Sequence, residues 1–248
     1  MFFYGKSDIG KKRSTNQDAF DIRELCGGVM LLTVCDGMGG ANGGNIASEL
    51  ALRTYVEFVK KGYFENCDIF KLLTDGVQKA CAAVFEKAES DSALLGMGTT
   101  LVSALIVGRT AYVVNVGDSR LYLASGKTIM QVTKDHSFVQ YLVDTGRLSE
   151  KEAESAPMKN VITRSVGNER KTSPDSYKVD LNDGNYILLC SDGLTNCVKK
   201  EKMLQTIIKK RPVRTKGSDD IRHKAERLVE LANEGGGTDN ITAILGII

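Results

Sequence analysis

Antiparallel β-sheets packed together and covered by helices, an α+β arrangement, is the fold class this sequence predicts. Three observations carry it. Apolar runs of strand length are joined mainly by tight turns, so hairpins dominate the connections. Helical patterns come in pairs near each end instead of alternating with strands as βαβ units would require. The chain has 248 residues, of which 42% are hydrophobic and 26% charged, enough to bury a sizeable core in one large domain. No repeat, low-complexity stretch or Pro/Gly/Ser-rich linker divides it, so residues 1–248 are read as a single domain.

In chain order, the first third reads as strand, glycine-rich turn, helix, helix. Residues 45–61 place Ile46, Leu50, Ala51, Tyr55 and Phe58 at helical spacing, and Gly62 ends the pattern. Asp68 suits the cap of a second helix, with Ile69, Leu72, Leu73, Val77, Ala80, Cys81, Val84 and Ala88 on one face. Residues 99–107 and 109–116 form a hairpin turning at Gly108-Arg109. Residues 121–123 and 128–132 form another, turning at Ser125-Gly126. Residues 137–156 are polar and mostly helical. Asp183-Gly184, between the runs 177–181 and 185–190, is a strong hairpin signal. Two helical patterns follow, on Met203, Leu204, Ile207 and Ile208 and on Ile221, Ala225, Leu228, Val229 and Ala232. Residues 240–247 are the final strand.

Four aspartates abut these strands. Asp36 follows the run 31–35, Asp118 the run 111–117 and Asp192 the run 186–191, while Asp239 precedes the run 241–245. A carboxylate is costly to bury unpaired. Nearby basic residues are too few to serve all four, so the natural partner is a divalent cation held by oxygen. This points to a metal-dependent enzyme.

Each motif also has a bland reading. Asp36-Gly37-Met38-Gly39-Gly40 is either a turn or a site where glycines let backbone carbonyls approach a metal. Unlike Asp183-Gly184, it leads through a glycine-rich loop into a helix. Asp192 in Ser191-Asp192-Gly193-Leu194 reads as a helix cap or a ligand. Residues 235–240 read as a flexible loop or a close metal approach. Asp118 and Arg120 read as a surface ion pair or as part of the site. Arg13 is either a surface residue or a phosphate fork, since its planar guanidinium binds two oxygens at once.

In this order and spacing, residues 13–18, 36–40, 98–100, 117–120, 135–137, 160–167, 191–194 and 237–242 resemble the metal-dependent serine/threonine protein phosphatases of type 2C, above all the compact bacterial members. The resemblance covers nearly the whole chain. It implies two facing antiparallel sheets as a central sandwich flanked by helix pairs, with a metal cleft at one sheet rim and residues 146–167 as a flap over it. It implies that Asp36 bridges two Mn²⁺ or Mg²⁺ ions, that the Gly37 carbonyl helps hold one, and that Asp192 and Asp239 hold the other. Asp18 would act through metal-bound water, and Arg13 would clamp the substrate phosphate. Asp118 with Asp192 would share a weaker third ion. Two departures stand out: Met38 and Ala156 occupy positions where some relatives carry histidine, which leaves the proton donor to the leaving group open. For His136, a hydrogen-bonded structural role is expected.

The implied activity is hydrolysis of phosphoserine and phosphothreonine in proteins, opposing a serine/threonine kinase. A catalytically dead phosphoprotein-binding relative and a small-molecule phosphoesterase are the alternatives. A formal charge of +2 gives no electrostatic case for nucleic acid or membrane. The six cysteines show no C-x-x-C spacing, and the N-terminus turns polar too soon for a signal peptide. A cytoplasmic monomer without disulfides is expected.

Overall fold

The computed structural model describes residues 1–63, 68–153, 156, 158, 161–209 and 217–248. Two antiparallel sheets face each other. One contains β1 (Phe2–Asp8), β11 (Ile241–Ile247), β10 (Tyr186–Cys190), β7 (Arg120–Ser125) and β8 (Thr128–Gln131), in that spatial order. The other runs β2 (Asp18–Glu24), β3 (Met30–Met38), β5 (Leu101–Val107), β6 (Thr110–Val116) and β9 (Asp175–Asp180), with the short β4 (Gly98–Thr99) joined to the end of β3.

Side-chain alternation explains the layering. On β3, Leu32 and Val34 point into the gap between the sheets, while Leu31 and Cys35 point outward. The outward face is covered by α1 (Gly40–Tyr63) and α2 (Ile69–Glu89), which contribute Tyr55, Leu73, Val77 and Val84 to the same apolar layer. On β10, Ile187 and Leu189 enter the gap, while Leu188 and Cys190 face α5 (Asp192–Thr195), α6 (Lys200–Ile208) and α7 (Ser218–Glu234). The result is the α-β-β-α sandwich. Both faces of the central strands are buried, which is why they read as continuous apolar runs and not as alternating ones. Asp68 caps α2 as expected, accepting from the Lys71 N–H at 3.0 Å.

Several expectations need correction. Asp183-Gly184 does not close a hairpin. β9 pairs with β6, whereas β10 pairs with β7 and β11. The turn instead carries the chain from one sheet to the other. It is held by Asn182 N–H on Asn185 Oδ1 (2.9 Å) and by Gly184 N–H on the Ile248 carbonyl (3.1 Å). Tyr177, Val179, Ile187 and Leu189 then line the same inter-sheet gap from opposite sides. The first third holds three strands, not one. Residues 98–99 break from the β5 strand to pair with Gly37 and Met38. The region 137–156 contains two short helices, α3 (Phe138–Asp144) and α4 (Glu150–Ala153). Cys67, Pro157 and Asn160 lie outside the described residues. No helix among the described residues is long and apolar enough to cross a membrane.

Candidate active site

The topology brings the predicted aspartates to one rim. Asp36 sits near the end of β3, directly across from Asp18 on β2. Asp192 opens α5 just past β10, and Asp239 stands just before β11, the neighbour of β10. Asp118 lies in the link that passes from β6 in one sheet to β7 in the other. Arg13, Asp36, Gly37, Asp118, Asp192 and Asp239 line one cleft of about 390 Å³. Asp18 does not line it; it lies across from Asp36 on the adjacent strand.

Burial and mutual repulsion set the electrostatics. Asp18 is pushed up to about 7, mainly by burial and then by the charges of Asp192 and Asp239, against hydrogen bonds that favour its charged form. Asp118 is pushed to about 7 by burial and by Asp192. Burial and the neighbouring carboxylates also raise Asp36, strongly, and Asp192. Asp18 Oδ2 accepts from the Ser191 (2.8 Å) and Thr242 (2.7 Å) hydroxyls, but Asp18 Oδ1 and Asp192 Oδ1 are buried without a hydrogen-bond partner. Among the described residues no three His, Cys, Asp or Glu side chains already close into a cation cage; the carboxylates ring the cleft instead. Orphaned carboxylate oxygens and an all-oxygen donor set fit a hard divalent cation.

Arg13 Nη2 donates to Asp239 Oδ2 at 2.7 Å, which raises the arginine further. Arg120 does not pair with Asp118. Its Nε and Nη2 grip Asp135 at 3.0 and 2.6 Å, and its Nη1 donates to the Tyr122 hydroxyl. His136 is buried, with Nδ1 accepting the Gly117 N–H at 3.1 Å and Nε2 facing Asp175 at 3.3 Å. It supports the Asp118 turn and is absent from the cleft lining. Gly37 has a reason beyond metal approach: a Cβ there would fall 2.0 Å from the Gly44 carbonyl oxygen.

Sequence reasoning assigned no role to the polar residues that hold these carboxylates. The Asp36 N–H donates to Thr100 Oγ1 (2.9 Å), which meets the Ser119 hydroxyl at 2.7 Å, so one buried pair of hydroxyls links the Asp36 and Asp118 segments. Ser191 and Thr242 do the same for Asp18. Their only signal was membership of the short stretches that carry the family resemblance.

Residues 5–230 match the family model described as Protein phosphatase 2C; Asp239 and β11 fall beyond that segment. The chain is 36% identical over 242 residues to the serine/threonine phosphatase stp of Listeria welshimeri, spanning 97% of this chain and 93% of that one. The crystal structure of the Mycobacterium tuberculosis serine/threonine phosphatase PstP/Ppp superposes with a TM-score of 0.87 at 33% identity, covering 99% of this chain and 97% of that one. The catalytic domain of PstP in complex with 2 manganese ions superposes at 0.81 with 32% identity, covering 98% and 96%. The breadth of these matches, on top of the shared sandwich, makes the chain a member of the protein phosphatase 2C family, the metal-dependent serine/threonine protein phosphatases.

Proposed function

We propose that this single-domain chain removes phosphate from phosphoserine and phosphothreonine in proteins at the carboxylate cleft. The observation that carries the reading is the convergence of Asp36, Asp192 and Asp239 from both sheets around one cleft beside Arg13. Asp36 and Gly37 with Asp192 and Asp239 would hold two Mn²⁺ or Mg²⁺ ions, and Asp118 with Asp192 a weaker third. The ions supply Lewis-acid activation of water and charge neutralisation of the phosphate. The chain itself supplies the rest. Arg13, half-exposed at the cleft edge, offers a planar fork to the phosphate oxygens. Asp18, fixed by two hydroxyls, keeps its other oxygen unpartnered on the strand beside Asp36. Met38 and Ile162 give the cleft an apolar border.

The bacterial relatives support a place opposite a serine/threonine kinase. The absence of a strong net charge supports protein substrates over nucleic acid. The described cysteines are free, three of them buried, which supports a reducing, cytoplasmic setting; we read the chain as a monomer.

The test is phosphate release from a phosphothreonine peptide, with calorimetric cation titration alongside. Chelator should abolish turnover, and Mn²⁺ or Mg²⁺ should restore it. Asp36→Asn and Asp239→Asn should lose roughly a hundredfold or more. Asp118→Ala should keep the two tight ions yet turn over more slowly. Full activity in excess chelator overturns the reading, and loss of the tight pair in Asp118→Ala overturns the third site.

A further inference from the structure

The segment between β1 and β2, residues 9–17, carries Arg13 but has no helix or strand of its own. A loop without ladder hydrogen bonds needs other anchors to hold one conformation. Asn240 provides them on both sides of Arg13. Its Nδ2 donates to the carbonyl oxygens of Ile9 (3.0 Å) and Thr15 (2.9 Å), and its Oδ1 accepts the Gln17 N–H (2.8 Å). Its own backbone N–H donates to Asp239 Oδ1 at 2.8 Å. The residue is 4% exposed, so water does not compete for these bonds.

The same junction grips the loop by its backbone. Lys11 N–H donates to the Gly237 carbonyl at 2.7 Å. Gly10 lies so close that a Cβ would stand 2.1 Å from the Asp239 carbonyl oxygen. Arg13 then reaches Asp239 Oδ2 at 2.7 Å. The chemistry selects asparagine: only a primary amide offers two N–H donors for two carbonyls and an acceptor for an N–H. Aspartate would turn both carbonyl contacts into oxygen–oxygen repulsions.

We propose that Asn240 is a positioning residue for Arg13. It fastens both ends of the Arg13 loop to the Asp239 junction, so the guanidinium meets phosphate at a fixed distance from the carboxylate cleft. This rests on the reading of Arg13 as the phosphate-binding group.

Asn240→Ala and Asn240→Asp, each alone and combined with Arg13→Ala, separate the possibilities. Peptide KM and the inhibition constant of inorganic phosphate should each rise roughly tenfold in the single Asn240 variants, the cost of a misplaced binding group. The rise should vanish in the Arg13→Ala background, because the two residues act as one unit. Hydrogen exchange of the residue 9–17 amides should speed up, while Mn²⁺ affinity by calorimetry holds. Asn240→Ser keeps a neutral polar group at the same place, so it remains informative if the other two variants do not fold. An undiminished effect in the Arg13→Ala background overturns the proposal. So does unchanged loop exchange, or a fall in Mn²⁺ affinity that accounts for the lost activity. If Arg13→Ala alone leaves phosphate inhibition unmoved, the phosphate-binding reading is what fails. If it raises the constant and the Asn240 variants do not, the positioning role fails.

Discussion

His136 shows how a motif residue acts without touching substrate. Burial lowers its pKa below the ordinary value, against the opposing pull of Asp175, so the ring is neutral at physiological pH. Nδ1 accepts the Gly117 N–H, while Nε2 faces both the Arg164 guanidinium (3.1 Å) and Asp175 (3.3 Å). His136→Ala strands that N–H and should cost about 1–3 kcal/mol of stability. The alkaline limb of the kcat/KM profile should survive, with turnover reduced evenly across leaving groups. A loss confined to poor leaving groups would make His136 the acid instead. The site aspartates were legible because each abuts an apolar run, where an unpaired carboxylate demands an explanation. Asn240, Thr100 and Thr242 were not. Asn240 meets Ile9 and Thr15, and Thr242 meets Asp18, across more than 220 residues of sequence.

Elements with a strong local period were readable and those defined by distant pairing were not. α1, α2 and α7 announce themselves by apolar residues on one face, and the β5–β6 and β7–β8 hairpins by their turns. β1 and β2 are only half-buried and owe their existence to β11 and β3, so no continuous apolar run marks them. Asp183-Gly184 reverses the chain as its residues dictate, but turn chemistry does not say which sheet receives the next strand. Gly193 tests the tightness of the junction between β10 and β11. A Cβ there would sit 2.0 Å from the Asn240 carbonyl oxygen, a backbone atom that cannot swing away. Gly193→Ala should therefore lower the denaturation midpoint by the equivalent of about 1–3 kcal/mol and weaken cation binding in parallel. Unaltered stability and binding would mean the junction yields more easily than its geometry implies.

For the molecule as a whole, the site is a source of strain between layers. Asp18 and Asp36 belong to one sheet, and Asp192 and Asp239 flank strands of the other. Folded-state pKa values raised above the ordinary 3.8 mean that the native protein binds more protons than the unfolded chain. That stabilisation is full below 3.8 and drains away as pH rises toward about 7, the range reached by Asp18 and Asp118. Carboxylates with lowered values, such as Asp8 and Asp175, act in the opposite sense, and their contribution disappears only in stronger acid. The Tm of chelator-treated protein should therefore fall between about pH 5 and about pH 8, and Mn²⁺ should flatten that slope. A chelated protein whose Tm is level across that range would show that the carboxylates do not repel as described.

β11 lies between β1 and β10, and Asp239 stands at its threshold. An interior strand of one sheet and one wall of the cleft thus depend on a single seven-residue strand and the junction before it. Displacing residues 239–247 would leave β1 without its partner strand and Arg13 without its anchor. Fraying of β11 therefore costs sheet and cleft together, and the loss of a single strand silences the site.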